Sequence, residues 1–394
     1  MNCGIMIIGL HNKLLIWIGD TLLSLHLFLI NARARLLSLL GNERVRRGLL
    51  LSALSVSLAF VTVISLVANQ AYVVLDSINY AADGVRATME EAMAYRNDFR
   101  DAALSNSDAE VISRADAQLT EFLAENQTPI QPGEHGIVNI LLLGCDCDNY
   151  SEMSRSDSMM ILSIDEENRE LKLTSLMRDM RVNIPGYGKD KLNAAYAYDT
   201  SVKLLLETIK ENFRLSIDKF ICVNYEAFTD VVDLLGGIDV EIQDKEIRAI
   251  NLSIGTYEDK LSAPGMQTLN GAQALAYCRM RRVGNDTERT RRQRDALEAV
   301  FAQVKSCDLS DIIRITNLMA PSILTNLSVG EILSLVSSLP EYRGYEVLQF
   351  SIPVDGYWTD LVIDQIQYIN FDAKKNVKEL IKFIYGDEDI GIAE

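Results

Sequence analysis

Residues 49–74 read LLLSALSVSLAFVTVISLVANQAYVV and contain no charged side chain. A helix of about 20 apolar residues crosses a hydrocarbon core of about 30 Å. No other part of the chain restricts its possible architecture so strongly. Arg33, Arg35, Arg44, Arg46 and Arg47 all precede this run, and the positive-inside rule puts them in the cytoplasm and everything after Asp76 outside. The expected division is a cytoplasmic or interfacial segment at 1–47 and a transmembrane helix at 48–75. The first thirty residues are also apolar, but His11, Lys13, Asp20 and His26 interrupt them. A central Asp or Lys costs about 2.5–3.5 kcal/mol on insertion, which favours an amphipathic segment at the interface. The expected location is the cell membrane, by a single pass, or by two if residues 1–30 also cross. Either count leaves the large domain extracellular.

Residues 76–136 are polar with scattered apolar positions such as Met89, Met93, Phe99, Leu119, Phe122 and Leu123, the pattern of an extracellular helical stalk or of helices packed on the membrane side. Pro129, Pro132, Gly133 and Gly136 then punctuate the chain as a linker. From 137 to 394, apolar strands are expected at 137–145, 158–164, 171–177, 219–224, 238–242 and 345–352. Helical periodicity falls at 192–213, 225–235, 270–277, 288–306, 329–338 and 374–384. That alternation predicts a layered α/β/α domain with a central mixed sheet, because 165–169 reads as a hairpin turn and rules out a purely parallel order.

The formal charge is −17, so a broad basic surface for nucleic acid is excluded as a partner face. Against that background, 279–294 holds seven arginines and no lysine. Arginine rather than lysine suits planar, bidentate recognition of oxyanions, phosphate foremost. Carboxylates and arginines also recur where strands stop: Asp146 after Gly144, Arg155 and Asp157 before the next strand, and Arg178 and Asp179 after the third. Strand ends are where α/β domains handle ligands. The three histidines, His11, His26 and His135, all precede this domain. Histidine-dependent triads and histidine-ligated zinc are therefore out, and no Walker loop appears.

Carboxylate and guanidinium chemistry remains, and it suits phosphoryl transfer. Asp146 and Asp157 are the candidate pair for one Mg²⁺, though a turn-forming role for the first and an N–H acceptor role for the second are the plainer readings. Arg178, Arg279, Arg281 and Arg289 are candidates to hold diphosphate oxygens. Arg155 either joins them or pairs with Asp179, and Gln293 either bonds a phosphate or supports its helix. Asp286 is either a general base or the group that orients Arg289. Arg282, Arg291 and Arg294 read as outer-face charges. Leu204, Leu205, Leu206, Ile209 and Phe213 supply apolar surface for a lipid groove or an ordinary core. Cys145 and Cys147 stand too close to be joined easily, and Cys222 and Cys278 read as small buried groups at strand ends.

In order along the chain, Leu142-Leu-Gly-Cys-Asp146, Arg155-Ser-Asp157, Met177-Arg-Asp179, Asp190-Lys-Leu-Asn193, Leu235-Gly-Gly-Ile-Asp-Val240, Leu269-Asn-Gly-Ala-Gln-Ala-Leu-Ala-Tyr277, Arg279-Met-Arg281 and Asp286 through Gln293 resemble the LytR–CpsA–Psr family of Gram-positive cell-wall proteins. Asp148, Cys145 and Met177 depart from the family's usual arginine, small residue and proline. The resemblance implies a transferase that moves an anionic glycopolymer, such as teichoic acid, from a polyprenyl diphosphate carrier at the lipid bilayer to peptidoglycan through a phosphodiester, with Mg²⁺ as cofactor. It implies catalytic roles for Arg178, Asp286 and Arg289. A non-catalytic scaffold for the lipid-linked precursor, favoured by Asp148, and a polyprenyl diphosphate hydrolase are the alternatives.

Overall fold

The computed structural model describes residues 77–386, apart from 81–85, 126–127, 148–153, 200, 256–259, 281–282, 285, 308–310, 312–313 and 316–317. The span expected at 48–75 and the segment 1–47 lie outside the described residues. Among those residues, no helix is long and apolar enough to cross a membrane.

Among the described residues thirteen strands follow one another: β1 (Asn79–Tyr80), β2 (Ile137–Cys145), β3 (Ser156–Asp165), β4 (Glu170–Leu176), β5 (Arg181–Ile184), β6 (Gly188–Lys191), β7 (Lys219–Asn224), β8 (Ile238–Ile242), β9 (Gly265–Leu269), β10 (Ile323–Thr325), β11 (Glu346–Ile352), β12 (Trp358–Ile363) and β13 (Ile366–Phe371). The main sheet has the order β1-β10-β7-β2-β3-β4-β11 and is mixed. β2, β3 and β4 form an antiparallel meander, while β7 and β11 lie parallel to β2 and β4. Alternation along β2 explains how both sheet faces are filled. Leu141, Leu143 and Cys145 enter the larger core, and Ile140 and Leu142 face the other side. Helices Lys203–Phe213 and Ala373–Tyr385 cover the first face, and helices Asp286–Ser306 and Val329–Tyr342 lie over the second. The layered arrangement read from the sequence is therefore present.

Three local expectations change. The helix expected over 192–213 is broken into Ala194–Ala197 and Lys203–Phe213. Buried Asp199 ends the first piece: its carboxylate accepts from Ser201 N, Ser201 Oγ and Leu204 N, satisfying donors that open the second piece. The stalk expected at 76–136 is instead packed on the domain. Helix Ala109–Glu125 buries Ala115, Leu119 and Phe122, and its Asp116 accepts from Arg181 at 2.6 Å and Lys189 at 2.9 Å. The presumed linker is pinned too, since Ile130 is buried and bonds Arg214 O and Ser216 N. Finally, Leu204, Leu205, Ile209 and Phe213 have no exposure and belong to the core, so the lipid-groove reading of that helix falls.

A second, smaller core brings β8 and β9 together with helices Tyr225–Leu234, Asp244–Ile254, Gly271–Arg279 and Asp286–Ser306. Gly271 permits its closest approach. A Cβ there would stand 2.3 Å from the Thr229 carbonyl oxygen, so helix Gly271–Arg279 can rest on its neighbour only with glycine at its first position. That contact aims the end of the helix, Arg279, back toward the main sheet.

Candidate active site at the end of the sheet

The meander brings the end of β2, the start of β3 and the end of β4 to one edge, and β7 finishes beside Cys145. Asp146, Asp157, Arg178 and the first residue of helix Tyr225–Leu234 therefore meet, although they are far apart in sequence. Asp157 is the hub. Its Oδ1 accepts from Arg178 at 2.6 Å and its Oδ2 from the Tyr225 hydroxyl at 2.7 Å. Arg289 stands 3.3 Å from Oδ2 and also donates to the Asp157 carbonyl, as does Gln293. Arg289 and Gln293 are four residues apart on helix Asp286–Ser306, so both reach the same strand start.

Arg279 reaches Asp146 at 3.0 Å and lies over the Tyr225 ring, 4.4 Å from its centroid. Burial, with Asp157 adding to it, pushes the Tyr225 hydroxyl well above the usual phenol range, so it stays a neutral donor. Asp179 is held by Lys191 at 2.6 Å and Arg178 at 3.4 Å. Burial pushes its carboxyl up, but these two cations outweigh that and hold it below the usual range.

A cleft of about 380 Å³ is lined by Tyr95, Phe99, Asp146, Ser154, Arg155, Asp157, Arg178, Asp179, Lys191 and Asn193. Arg155 is not bonded to Asp179, although its charge helps to hold that carboxyl low. Its guanidinium rests on aromatic rings instead, 3.4 Å from the Phe99 centroid. Among the described residues at this edge, five basic groups (Arg155, Arg178, Lys191, Arg279 and Arg289) face three carboxylates. The surplus is positive, which suits an anionic ligand. Arg281 lies outside the described residues, as does the side chain of Asp286.

The remaining arginines separate. Arg292 is fully buried, bonding the Met280 and Val283 carbonyls and standing 3.4 Å from buried Glu246. Arg291 pairs with Asp295 on a different face. Arg294 is not an outer-face charge: it donates to Gln349, and burial lowers its pKa. Cys145 and Cys147 are joined as a disulfide on either side of Asp146, correcting the expectation that they are too close, and Cys278 lies in a helix rather than at a strand end.

No group of three His, Cys, Asp or Glu side chains suited to a metal occurs among the described residues, so there is no closed protein cage. Mg²⁺ is commonly held by one or two carboxylates plus waters and substrate phosphates. Asp146 and Asp157 lie on one cleft and would supply those carboxylates, Asp146 being the more exposed, while Asp157 would have to exchange an oxygen now held by Arg178 or by Tyr225 and Arg289.

The LytR_cpsA_psr family model matches residues 105–382. This chain belongs to the LytR–CpsA–Psr family. The polyisoprenyl-teichoic acid–peptidoglycan teichoic acid transferase TagU of Oceanobacillus iheyensis is 31% identical over 259 residues, 62% of this chain and 78% of that protein. The corresponding transferase TagT of Bacillus subtilis is 32% identical over 228 residues, 56% and 69% respectively. A solved structure of the family protein YwtF (TagT) with bound octaprenyl pyrophosphate lipid aligns with a TM-score of 0.50 and 26% identity, covering 66% of this chain and 95% of that one. Within the LytR–CpsA–Psr domain the departure at Met177 is accommodated in the core, where its side chain is buried and its N–H bonds Ile352 O. Asp148 lies outside the described residues. Tyr225 was not singled out from the sequence, and nothing in its local pattern marks it. Lys191 and Asn193 carry a signal only through the family motif that contains them.

Proposed function

We propose that the protein transfers an anionic glycopolymer, of the teichoic acid kind, from a polyprenyl diphosphate carrier to a peptidoglycan hydroxyl. The observation that carries this is the convergence of Arg155, Arg178, Arg279 and Arg289 on one strand-end cleft that also holds Asp146 and Asp157. The acceptor oxygen forms a bond to the phosphorus that bears the glycopolymer. The bridging P–O bond breaks, polyprenyl phosphate leaves, and the hydroxyl proton goes to a base, for which Asp286 is our candidate. Arg178 and Arg289, fixed by Asp157 before substrate arrives, stabilise charge on the departing phosphate without reorganising. Arg279 and Gln293 hold the diphosphate's outer oxygens, and the Tyr225 hydroxyl keeps Asp157 in place. Mg²⁺ bound by Asp146 and Asp157 would neutralise diphosphate charge.

The lipid tail needs a dry channel. A separate apolar cavity of about 190 Å³ lies on the second sheet face, lined by Ile140, Leu162, Ile221, Phe301, Val304 and Leu339 among others. It shares no lining residue with the polar cleft, so the arginines do not form its mouth directly. One helix connects the two: Gln293 reaches Asp157, and Phe301 stands eight residues on, about 12 Å along the axis. Helix Val329–Tyr342, which roofs the cavity, has no fully buried residue despite its apolar composition. A prenyl chain laid beneath it completes its packing.

Affinity for prenyl diphosphates should accordingly rise steeply with chain length, by about 0.8 kcal/mol per CH₂ buried until the groove is full. Calorimetric titration of diphosphates of two, four and eight prenyl units checks this. Equal affinity across the series would remove the channel and leave a site for the diphosphate alone.

A further inference from the structure

The outer wall of the cleft is built by residues that precede the matched domain, which starts at residue 105. Tyr95 lies in helix Met89–Asn97, and Phe99 follows just after it. This segment is anchored at several points. Thr88 and Glu91 form a reciprocal cap at the start of the helix. Asp101 N bonds Gln365 O beyond its end. Tyr95 packs against the main core and meets Tyr198 edge-on, with centroids 6.4 Å apart. The Tyr198 hydroxyl in turn donates to buried Asp190 at 2.6 Å.

On this platform sits Arg155. Its guanidinium carbon is 3.4 Å from the Phe99 ring centroid and 5.4 Å from that of Tyr95. Both distances lie within the range of cation–π attraction, and the shorter is a stacking distance. Arg155 Nε is buried and has no hydrogen-bond partner. The nearby carboxylate that would otherwise claim the guanidinium, Asp179, is engaged by Lys191 and Arg178. Stacking holds the guanidinium plane, the Tyr95 side chain takes a hydrogen bond from it, and the unpartnered Nε–H is left for an oxyanion, which a carboxylate partner would have consumed. Phe99 remains 41% exposed, so its place is not explained by core packing.

We propose that Phe99, with Tyr95 behind it, is a positioning residue that presents Arg155 to a phosphate oxygen of the lipid-linked substrate, so that a segment ahead of the family domain completes the anion site. This rests on the diphosphate reading of the cleft. Phe99 itself touches no reacting atom. Its effect passes through Arg155, and only an aromatic ring supplies it.

The test is a substitution series in the full chain, titrated calorimetrically with geranylgeranyl diphosphate. Phe99→Ala should weaken binding about three- to tenfold, with the melting temperature unchanged. Phe99→Trp should retain wild-type affinity, while Phe99→Leu, similar in bulk but without the ring quadrupole, should bind as weakly as the alanine variant. In an Arg155→Ala background, Phe99→Ala should have no further effect, because the two residues act as one unit. A leucine variant that binds like wild type, or additive losses in the double variant, would overturn the proposal. Wild-type protein that fails to bind the probe would overturn the diphosphate reading and this inference with it. Wild-type binding with an unaffected alanine variant would overturn this inference alone.

Discussion

Asp157→Asn is expected to lower the rate of glycopolymer transfer about 10²–10³-fold, the scale seen when one preorganised electrostatic element is removed from an active site. Asparagine keeps the shape and one acceptor oxygen but removes the charge that holds Arg178 at 2.6 Å and Arg289 at 3.3 Å. Both guanidiniums then lose their fixed aim. The same change removes one of the two carboxylates proposed for Mg²⁺, so the magnesium concentration needed for half-maximal activity should rise. Considered only as a strand-edge ligand, Asp157 would be replaceable at little cost in stability. The structure changes that expectation, because Arg289 is almost fully buried against it and Arg178 largely so. A destabilisation of about 1–3 kcal/mol is expected from leaving these partners undercompensated. Activity against Mg²⁺ concentration, with denaturation of the same preparation, checks both parts. Unchanged transfer and unchanged magnesium dependence would refute the assignment.

Arg292→Ala should produce the largest loss of stability among the arginine substitutions, about 3–5 kcal/mol. Arg292 and Glu246 both have side chains with no exposure. Removing the cation leaves a buried carboxylate, one oxygen of which caps the Gln243 N–H, with only the more distant Arg291 at 3.8 Å to balance it. It also frees the carbonyls of Met280 and Val283, the residues just beyond Arg279. Diphosphate affinity should therefore fall as well. Replacing both members, as Arg292→Met with Glu246→Leu, should recover part of the stability, since an apolar pair carries no desolvation cost. Urea denaturation of the two single variants and the double one decides this. A single Arg292→Ala change of less than about 1 kcal/mol would place that side chain outside the core, in the range of an exposed pair.

The arginine run shows what the sequence makes legible and where it stops. Its charge, set against an acidic chain, singles the stretch out as a candidate anion site. The i, i+4 spacing of Arg289 and Gln293 is readable as one helix face, and the structure brings both to Asp157. Arg292 is three residues from Arg289, yet it points into the small core, because its partner Glu246 arrives from a helix 46 residues away. No local pattern encodes that meeting. Similarly, β2 and β7 follow directly from apolar runs and β8 from the alternation of Ile238, Val240 and Ile242 with two acidic residues. The hairpins β5–β6, β8–β9 and β12–β13 rest on pairing between short segments, and several of those strands carry charged or glycine residues that hide their periodicity. Tyr225 and Phe99 reach the cleft through tertiary placement alone. Residues 89–125 read as a polar stalk because few apolar positions are needed to dock a helix when Asp116 also meets Arg181 and Lys189.

The measurement that bears most directly on the central claim is a reconstitution. Full-length protein in lipid vesicles is supplied with a radiolabelled glycopolymer on a polyprenyl diphosphate and with Mg²⁺, with and without peptidoglycan. The account predicts that label moves to peptidoglycan through a phosphodiester while polyprenyl phosphate is released in equal amount, and that release is slow without the acceptor. Binding of the lipid-linked polymer without turnover would make the protein a scaffold. Release of polyprenyl phosphate at the same rate with or without peptidoglycan, and no label on the wall polymer, would make it a hydrolase and contradict the account.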